Sequence, residues 1–420
     1  MYAMTAQALR QPGMMEGEPQ EEPQEEPNPV LEWKGDVADA KAKVLLGSTL
    51  ASKAHDSRRV KAYQGMEAPY GIANMLAQED SSIGLRVFLL DNSGSTSESD
   101  GHVLETTAAG AVRTLPATRW DEISAMALEQ AEWNASAGVR SEFLLLNPPC
   151  PDDPREGRDY VIVDPAAGDP AAQVARLAQV LRANGPRGTT PLAARLRQLR
   201  ARLSRDAGGG GRIMLCIVTD GLPTAPNSGS PTPRDQSEFV MELREFATSF
   251  NCFIVIRLAT DDDSAVAYYN KIDEELELPL DILDDLRGEA EELKACGNGW
   301  FAYTPVLHRI REGGTLEKLF DLMDERPLQA PEIAKLAELI LRGPSDAAFP
   351  RAPEGLFAAV AEAVARAPLV YNGRLGRLTP PVDLRLLRQA LGMNTLRYRA
   401  GALRTRMLKA VACSKGLPLD

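Results

Sequence analysis

The amino-acid sequence predicts an α/β protein with a doubly wound, mainly parallel sheet and a helical C-terminal region. Short apolar runs alternate with segments of helical spacing across the middle of the chain. Strands that alternate with helices of this length need crossover connections, which place helices on both faces of a parallel sheet. The chain has 420 residues, of which 44% are hydrophobic, so it is long enough for this core and a smaller second unit.

The chain before the first strand is predicted to contain a tail and a lead-in. Residues 1–36 are expected to be a disordered acidic tail, because the Pro-Gln-Glu run at 16–29 has self-repelling charge and little to bury. Residues 37–83 are expected to be a helical lead-in. Its helices are predicted at 40–46 and 70–78.

The α/β domain is predicted to span residues 84–299. Its predicted strands are residues 85–90, 142–146, 160–163, 213–218, 252–258 and 278–283. Its predicted helices are residues 119–137, 171–183, 191–204, 236–250, 264–275 and 287–295. The run VFLL at 87–90 is typical of a strand that is covered on both faces.

The C-terminal region, residues 300–420, is predicted to be helical. Its Ala/Leu/Arg segments are separated by Pro and Gly. Pro331 begins one predicted helix and Gly343 ends it. A second helix is expected at 354–366, and Asp383 is the expected N-cap of a third.

The net charge of −12 argues against nucleic-acid binding, which requires a basic surface. The charge is uneven, since the part from Arg351 onward carries +8. Five basic residues near the C-terminus contribute to it, namely Arg397, Arg399, Arg404, Arg406 and Lys409. A solvated helical face, contact with an acidic partner or lipid surface, and contact with the acidic tail all remain open for them.

The cysteine and apolar patterns predict a cytoplasmic protein without a membrane span. The five cysteines are widely spread and form no C-x-x-C, as in a chain with reduced thiols. Cys216 and Cys252 lie in apolar strands and are expected to be buried. No apolar run reaches the roughly 18 residues of a membrane span, and the first residues lack the apolar core of a signal peptide.

Carboxylates and hydroxyls follow two predicted strands and begin one predicted helix. Asp91, Ser93 and Ser95 follow the first strand, and Asp220 follows the strand at 213–218. Thr190 precedes a helix in the segment GTTPL. In an open α/β sheet, ligands bind outside the carboxyl ends of the strands. We therefore expect these five side chains at one edge of the sheet.

Two carboxylates and three hydroxyls form an all-oxygen set, which suits a hard cation such as Mg²⁺. Zinc prefers His or Cys, and none of the chain's three histidines is clustered with a cysteine. Neutral hydroxyls leave charge on the ion uncompensated. This favours capture of a carboxylate from a partner.

This pattern resembles the von Willebrand factor A (VWA) domain and its metal-ion-dependent adhesion site (MIDAS). The family's D-x-S-x-S falls on Asp91, Ser93 and Ser95, its loop threonine on Thr190, and its T-D-G-x-P acid on Asp220. The resemblance covers about half of the chain. It implies a Rossmann-like fold, a bound Mg²⁺ or Mn²⁺, and a partner protein that supplies Asp or Glu. We therefore predict an intracellular protein-protein interaction module without catalytic activity.

One segment departs from the family. The link at 96–118 is longer than usual, and we expect it to form a rim that shapes access to the ion. The acidic run at 261–263 is expected to cap the following helix. Tuning of the electric field around the ion is the alternative role for that run.

Other functions fit the pattern less well. A phosphatase of the haloacid dehalogenase type needs an acid two residues after its nucleophile, where this chain has Ser93. A serine hydrolase needs G-x-S-x-G, and a P-loop needs G-x-x-x-x-G-K-[ST]; the chain has neither. A metal-dependent hydrolase that uses the same carboxylates is the main alternative. The third alternative is an ion with a purely structural role, which only holds the three loops together.

Overall fold

The computed structural model describes residues 51–106, 112–205, 211–260, 262–276 and 278–393. The strands in these residues are β1 Ile83–Leu90, β2 Gly101–Thr106, β3 Val112–Ala117, β4 Ser141–Leu145, β5 Tyr160–Val163, β6 Arg212–Thr219, β7 Cys252–Leu258, β8 Leu280–Leu283, β9 Val370–Asn372 and β10 Arg377–Thr379.

The helices before the C-terminal region are α1 Ala51–Gly65, α2 Tyr70–Glu79, α3 Arg119–Ser136, α4 Pro170–Ala183, α5 Leu192–Arg205, α6 Pro233–Ser249, α7 Asp263–Glu275 and α8 Leu286–Ala295. Those that follow are α9 Pro305–Glu312, α10 Leu319–Glu325, α11 Ala330–Leu341, α12 Pro353–Arg366 and α13 Leu384–Ala390.

The central sheet has six strands in the order β5-β4-β1-β6-β7-β8. Strands β4, β1, β6, β7 and β8 are parallel to one another, and the edge strand β5 is antiparallel to β4. The chain starts in the middle of the sheet, builds one half, and then crosses to build the other. The predicted doubly wound, mainly parallel sheet is therefore confirmed, and its topological switch point lies between β1 and β6.

Both faces of the sheet are covered by helices. Val87 and Leu89 of β1 pack with residues of α5, α6 and α7 in one apolar cluster. Phe88 and Leu90 pack with residues of α3 and α4 in another. Successive side chains of a strand point to opposite faces, so the run VFLL supplies both cores.

A third apolar core joins the helical lead-in to the C-terminal region. It includes Tyr63 of α1 and Ile72 of α2 together with Trp300, Phe320 and Leu356. A Cβ on the residue after Tyr70 would lie 2.6 Å from the backbone oxygen of a residue in α11, so only glycine allows this close helix packing. The predicted C-terminal helical region is present, and it shares its core with the lead-in.

One buried arginine links α9 to β8, α8 and α10 through ion pairs. Arg311 of α9 pairs with Glu289 of α8, with Asp324 of α10 and, at 3.2 Å, with Asp281 of β8. Three carboxylates thus face one guanidinium. Burial raises the pKa of Glu289 to about 8 and that of Asp281 to about 7, against the lowering effect of Arg311.

Polar side chains cap several helices as the sequence predicts. Asp383 accepts from two backbone N–H groups at the start of α13. Asp262 caps α7 in the same way. Cys216 and Cys252 are buried, as expected, and burial raises the pKa of both thiols.

Several elements differ from the sequence prediction. A 3₁₀ turn, Gly94–Ser97, leads into the link at 96–118, and the link contains the antiparallel hairpin β2–β3. Helices α1, α9 and α10 lie in regions predicted to be helical but were not predicted individually, and the hairpin β9–β10 interrupts the predicted helical C-terminal region. Helix α1 is polar, α10 has seven residues, and β9 and β10 have three residues each, so their sequence signals are weak.

Some predictions lie outside the described residues. These are the acidic tail, the helix at 40–46, and the basic residues Arg397, Arg399, Arg404, Arg406 and Lys409. Across the part of the chain that is described, no helix is long and apolar enough to cross a membrane.

Candidate metal centre

Three loops reach the carboxyl edge of the sheet at its switch point. Loop A follows β1 and carries Asp91, Ser93 and Ser95; loop B precedes α5 and carries Thr190; loop C follows β6 and carries Asp220. We call these five residues the rim site. Their position follows from the topology, since β1 and β6 are adjacent and parallel and therefore end at the same edge.

The serines of loop A contact the carboxylate of loop C directly. Ser95 Oγ donates to Asp220 Oδ1 at 2.9 Å, and Ser93 Oγ lies 3.3 Å from the same oxygen. The two serine hydroxyls are 3.0 Å apart. Ser95 is exposed, whereas Asp220 is only 2% exposed. The site is therefore buried at its base and open at Ser95.

Asp91 lies at the base of the rim site and is fully buried. Its Oδ1 accepts from the backbone N–H of Ser93 at 2.8 Å, and its Oδ2 accepts from Thr219 Oγ1 at 2.6 Å. Thr219 immediately precedes Asp220 at the end of β6. These bonds fix the direction of the Asp91 carboxylate and connect loop A to loop C.

Thr190 is held against loop C by its backbone. Its N–H donates to Thr224 Oγ1 at 2.9 Å, and its carbonyl accepts from the Thr224 N–H at 3.0 Å. The Thr190 hydroxyl lies 3.9 Å from the position that a Cβ on Gly221 would occupy. Loop B therefore presents this hydroxyl next to the residue that follows Asp220.

Asn92 connects loop A to the segment after β4 and to loop B. Its side chain accepts from the N–H of Asn147 at 2.8 Å and donates to the carbonyls of Asn147 and Asn184 at 3.1 and 3.3 Å. Its own carbonyl accepts from the N–H of Arg187 in loop B. Nothing in the local sequence distinguishes an asparagine with this role from an ordinary turn asparagine.

Burial raises the proton affinity of both carboxylates of the rim site. Burial, followed by the negative charge of Asp220, raises the pKa of Asp91 to about 7. Burial also raises the pKa of Asp220, against the lowering effect of its bonds to Ser95 and Arg119. Two buried acids in mutual electrostatic contact favour a cation between or beside them.

Arg119 also contacts the rim site, and no pattern in the sequence indicates this contact. This first residue of α3 donates from Nη1 to Asp220 Oδ2 at 3.1 Å. Its Nε and Nη2 donate to both carboxylate oxygens of Asp100 at 2.7 and 2.6 Å. Arg119 and Asp220 are 101 positions apart, so only the folded chain shows the pair.

The hairpin β2–β3 stands beside the rim site and is fixed to α3. The N–H of His102 donates to Glu122 at 2.7 Å, and the N–H of Arg119 donates to the carbonyl of Glu98 at 3.0 Å. A Cβ on Gly101 would lie 2.6 Å from the Thr118 carbonyl oxygen. The extra chain in the 96–118 link thus packs tightly against the helix that carries Arg119.

The donor set of the rim site fits a hard cation. The described residues contain no cluster of three or more His, Cys, Asp or Glu side chains placed to hold a metal. The rim site has two such side chains, and its other donors are hydroxyls. Two carboxylates and three hydroxyls match Mg²⁺ or Mn²⁺ and do not match zinc.

Neither the His102 ring nor the His308 ring bonds to the rim site. The His102 side chain is exposed on β2. His308 is buried, with its Nδ1 3.2 Å from the Tyr303 hydroxyl and its Nε2 3.3 Å from Glu312. The hydrogen-bond partners of Asp91 and Asp220 in the described residues are hydroxyls, a backbone N–H and Arg119.

The fold and this site define a doubly wound α/β protein with a paired-carboxylate site at its switch point. No protein-family model matches the chain, and no curated protein matches it. Among solved structures, the pilus adhesin SpaC from Lactobacillus rhamnosus GG is similar, with 16% identity and a TM-score of 0.32. The match covers 48% of this chain and 28% of that chain.

Proposed function

We propose that this protein is a divalent-metal-dependent protein-protein interaction module of the VWA type. Its rim site holds Mg²⁺ or Mn²⁺ and binds an Asp or Glu side chain of a partner protein. The observation that carries the proposal is the contact between loops A and C, where Ser93 and Ser95 meet Asp220 at the switch point of the sheet.

The chemistry of the donors supports both parts of the proposal. Asp91, Ser93, Ser95, Thr190 and Asp220 would hold the ion directly or through water, because all five offer oxygen. The three hydroxyls are neutral ligands, so they leave the ion more electropositive than further carboxylates would. An ion held in this way retains affinity for an external carboxylate, which completes its coordination.

The motif spacing supports the VWA assignment. Asp91, Ser93 and Ser95 follow the first strand of the sheet, Thr190 begins a helix, and Asp220 follows the neighbouring strand β6. The MIDAS pattern requires this order along the chain. The antiparallel edge strand and the five parallel strands are compatible with the same domain type.

A metal-dependent hydrolase is the alternative that uses the same carboxylates. A phosphatase with Asp91 as nucleophile would need a proton donor at position 93. The Ser93 hydroxyl is engaged with Ser95 and Asp220, and its pKa is far above that of a carboxylic acid. The binding function therefore explains the residues of the site better than hydrolysis does.

Ion binding by the full chain tests the proposal. Calorimetric titration with Mg²⁺ and Mn²⁺ should show one site in the wild type and none in Asp91→Ala. Asp262→Asn is the matched control, because it removes a carboxylate from the same edge while Asn still caps α7. Its ion affinity should stay within about threefold of wild type, since exposed charges are screened.

Partner capture from cell extract tests the second part. Retention should require Mg²⁺, disappear with EDTA and disappear in Asp91→Ala. Capture that survives both EDTA and the substitution would show that the ion is structural. Absence of any ion binding by the wild type would refute the metal assignment itself.

A further inference from the structure

The guanidinium of Arg119 is the positive side chain that bonds to the rim site among the described contacts. It donates to Asp220 Oδ2 at 3.1 Å, while both serines of loop A point to Oδ1. The Asp220 side chain is fully buried and that of Arg119 is 13% exposed. Water therefore screens this pair poorly, and the bond is stronger than a surface ion pair.

Arg119 is held in place from two sides. Its backbone N–H donates to the Glu98 carbonyl, and Thr118 before it is the N-cap of α3, with a capping box to Asp121. Asp100 takes two of the guanidinium N–H groups in a bidentate contact. The remaining Nη1 therefore stays directed at Asp220 without further ordering of the side chain.

An arginine and a divalent ion have opposite effects on each other at one carboxylate. The guanidinium occupies a lone pair of Asp220 and reduces the negative potential that attracts the ion. The ion in turn weakens the bond between Asp220 and Arg119. We propose that Arg119 competes with the divalent ion for Asp220 and so sets the ion affinity of the rim site, an inference that rests on the proposed function.

Asp100 controls how strongly Arg119 competes. It shares the positive charge of the guanidinium with Asp220, so it weakens the hold of Arg119 on the rim site. Removal of the Asp100 charge directs the guanidinium more fully to Asp220. Arg119 and Asp100 are partners in one ion pair, yet their substitutions should change ion affinity in opposite directions. A purely structural role for the pair would make both substitutions act in the same direction.

The experiment measures Mn²⁺ binding to the full chain by electron paramagnetic resonance, which counts the free ion. Arg119→Gln should bind Mn²⁺ about tenfold more tightly than wild type, which corresponds to about 1.4 kcal/mol. Arg119→Lys keeps the charge but replaces the three nitrogens that reach Asp100 and Asp220 by a single ammonium, so its affinity should also rise, by a smaller factor. Asp100→Asn should bind Mn²⁺ more weakly than wild type.

Matched controls separate direct competition from a general charge effect. Arg155→Gln removes a charge from an exposed Arg–Asp pair in the loop after β4, and Glu98→Gln removes an exposed charge next to the site. Both should stay within about threefold of wild type, because exposed charges are screened. Thermal unfolding of each variant shows that it is folded, and Arg119→Lys supplies the comparison if Arg119→Gln is not.

Each outcome decides the inference. Tighter binding by both Arg119 variants, with unchanged controls, supports competition. Equal affinity in wild type and Arg119→Gln overturns it, as does a rise no larger than that of Arg155→Gln. If these results overturn the inference but wild type binds Mn²⁺ and Asp91→Ala does not, the proposed function still stands. If neither wild type nor Arg119→Gln binds Mn²⁺, both proposals fall.

Discussion

Asp220 is the residue on which the rim site converges. One of its oxygens accepts from Ser93 and Ser95, and the other accepts from Arg119. Asp91 has a different environment, since its hydrogen-bond partners among the described residues are Thr219 and the backbone N–H of Ser93, neither of which is positively charged. The two acids therefore contribute differently to the site. Asp91 supplies unpaired negative charge, and Asp220 supplies the geometric link between the loops.

This difference predicts unequal effects of substitution. Asp220→Asn keeps an oxygen for the two serines and removes the charge, so we expect ion affinity to fall by about tenfold, or about 1.4 kcal/mol. Asp91→Ala removes both the charge and the oxygens and should abolish binding. Titration calorimetry with Mg²⁺ compares the two variants. Equal ion binding by wild type and both variants would contradict the assignment of either acid.

At the scale of single residues, the sequence indicates the five proposed ligands but not the residues that hold them in place. Asp91, Ser93, Ser95, Thr190 and Asp220 stand at recognisable spacings next to apolar strands, and the structure brings them to one edge. The roles of Asn92 and Arg119 depend on partners that are distant in the chain. No local pattern marks them.

Among the structural elements of the rim site, loop B contains a glycine in the left-handed backbone region. Gly188 has φ +75°, and its carbonyl accepts from the N–H of Gly94 in loop A. A Cβ at this position would lie 2.7 Å from Asn147 Oδ1, and the Asn147 amide donates to the carbonyl of Thr189. The glycine thus allows the close approach that places Thr190 at the rim site.

Gly188→Ala should therefore lower ion affinity without unfolding the protein. The left-handed backbone costs about 1–2 kcal/mol with any Cβ, and the clash with Asn147 adds displacement of loop B. Gly138→Ala is the matched control, because Gly138 has φ +72° and open space around its Cβ position. Thermal unfolding should show similar losses for both variants, and Mn²⁺ titration should show weaker binding for Gly188→Ala alone. Similar Mn²⁺ affinities for the two variants would rule out this role for loop B.

The strands and long helices could be predicted because their signals are local. Apolar runs identified all six strands of the sheet, and caps such as Asp262 and Asp383 marked helix starts. The hairpin β2–β3 was missed because most described residues of β3 are exposed, so no buried face imposes a pattern. Helix α9 was missed because it buries charged residues, including Arg311, so its buried face is not apolar in the sequence pattern.

At the scale of the whole molecule, Arg311 ties the C-terminal region to the sheet. Its partners lie on β8, α8 and α10, so one guanidinium connects three elements. Burial, with the charges of Asp324 and Asp281, raises the pKa of Glu289 to about 8, against the lowering effect of Arg311. The folded protein therefore holds a proton on Glu289 at pH values where the unfolded chain has lost it.

This proton makes stability depend on pH. Between about pH 4.5 and 8 the folded state binds one more proton at Glu289, so its contribution to stability falls as pH rises, by roughly 1 kcal/mol per pH unit. Glu289→Gln removes this dependence. Its free energy of unfolding, measured with urea, should rise relative to wild type from pH 5 to pH 8.

Glu332→Gln is the control for this prediction. Its hydrogen bond to Arg326 lowers the pKa of Glu332 to about 2, so its contribution is lost only as pH falls below the ordinary carboxylate range. The difference between this variant and wild type should stay constant from pH 5 to pH 8. A constant difference for Glu289→Gln as well would show that Glu289 is ionised in the folded protein.

The shared core of the lead-in and the C-terminal region affects any attempt to express the sheet portion by itself. Trp133 and Val139, which belong to that portion by position, pack in the cluster that also contains Tyr63, Trp300 and Phe320. A fragment cut at residues 84 and 299 would expose these side chains to water as a contiguous apolar patch. Such patches promote self-association, so a fragment of this kind would adhere to other proteins without any ion.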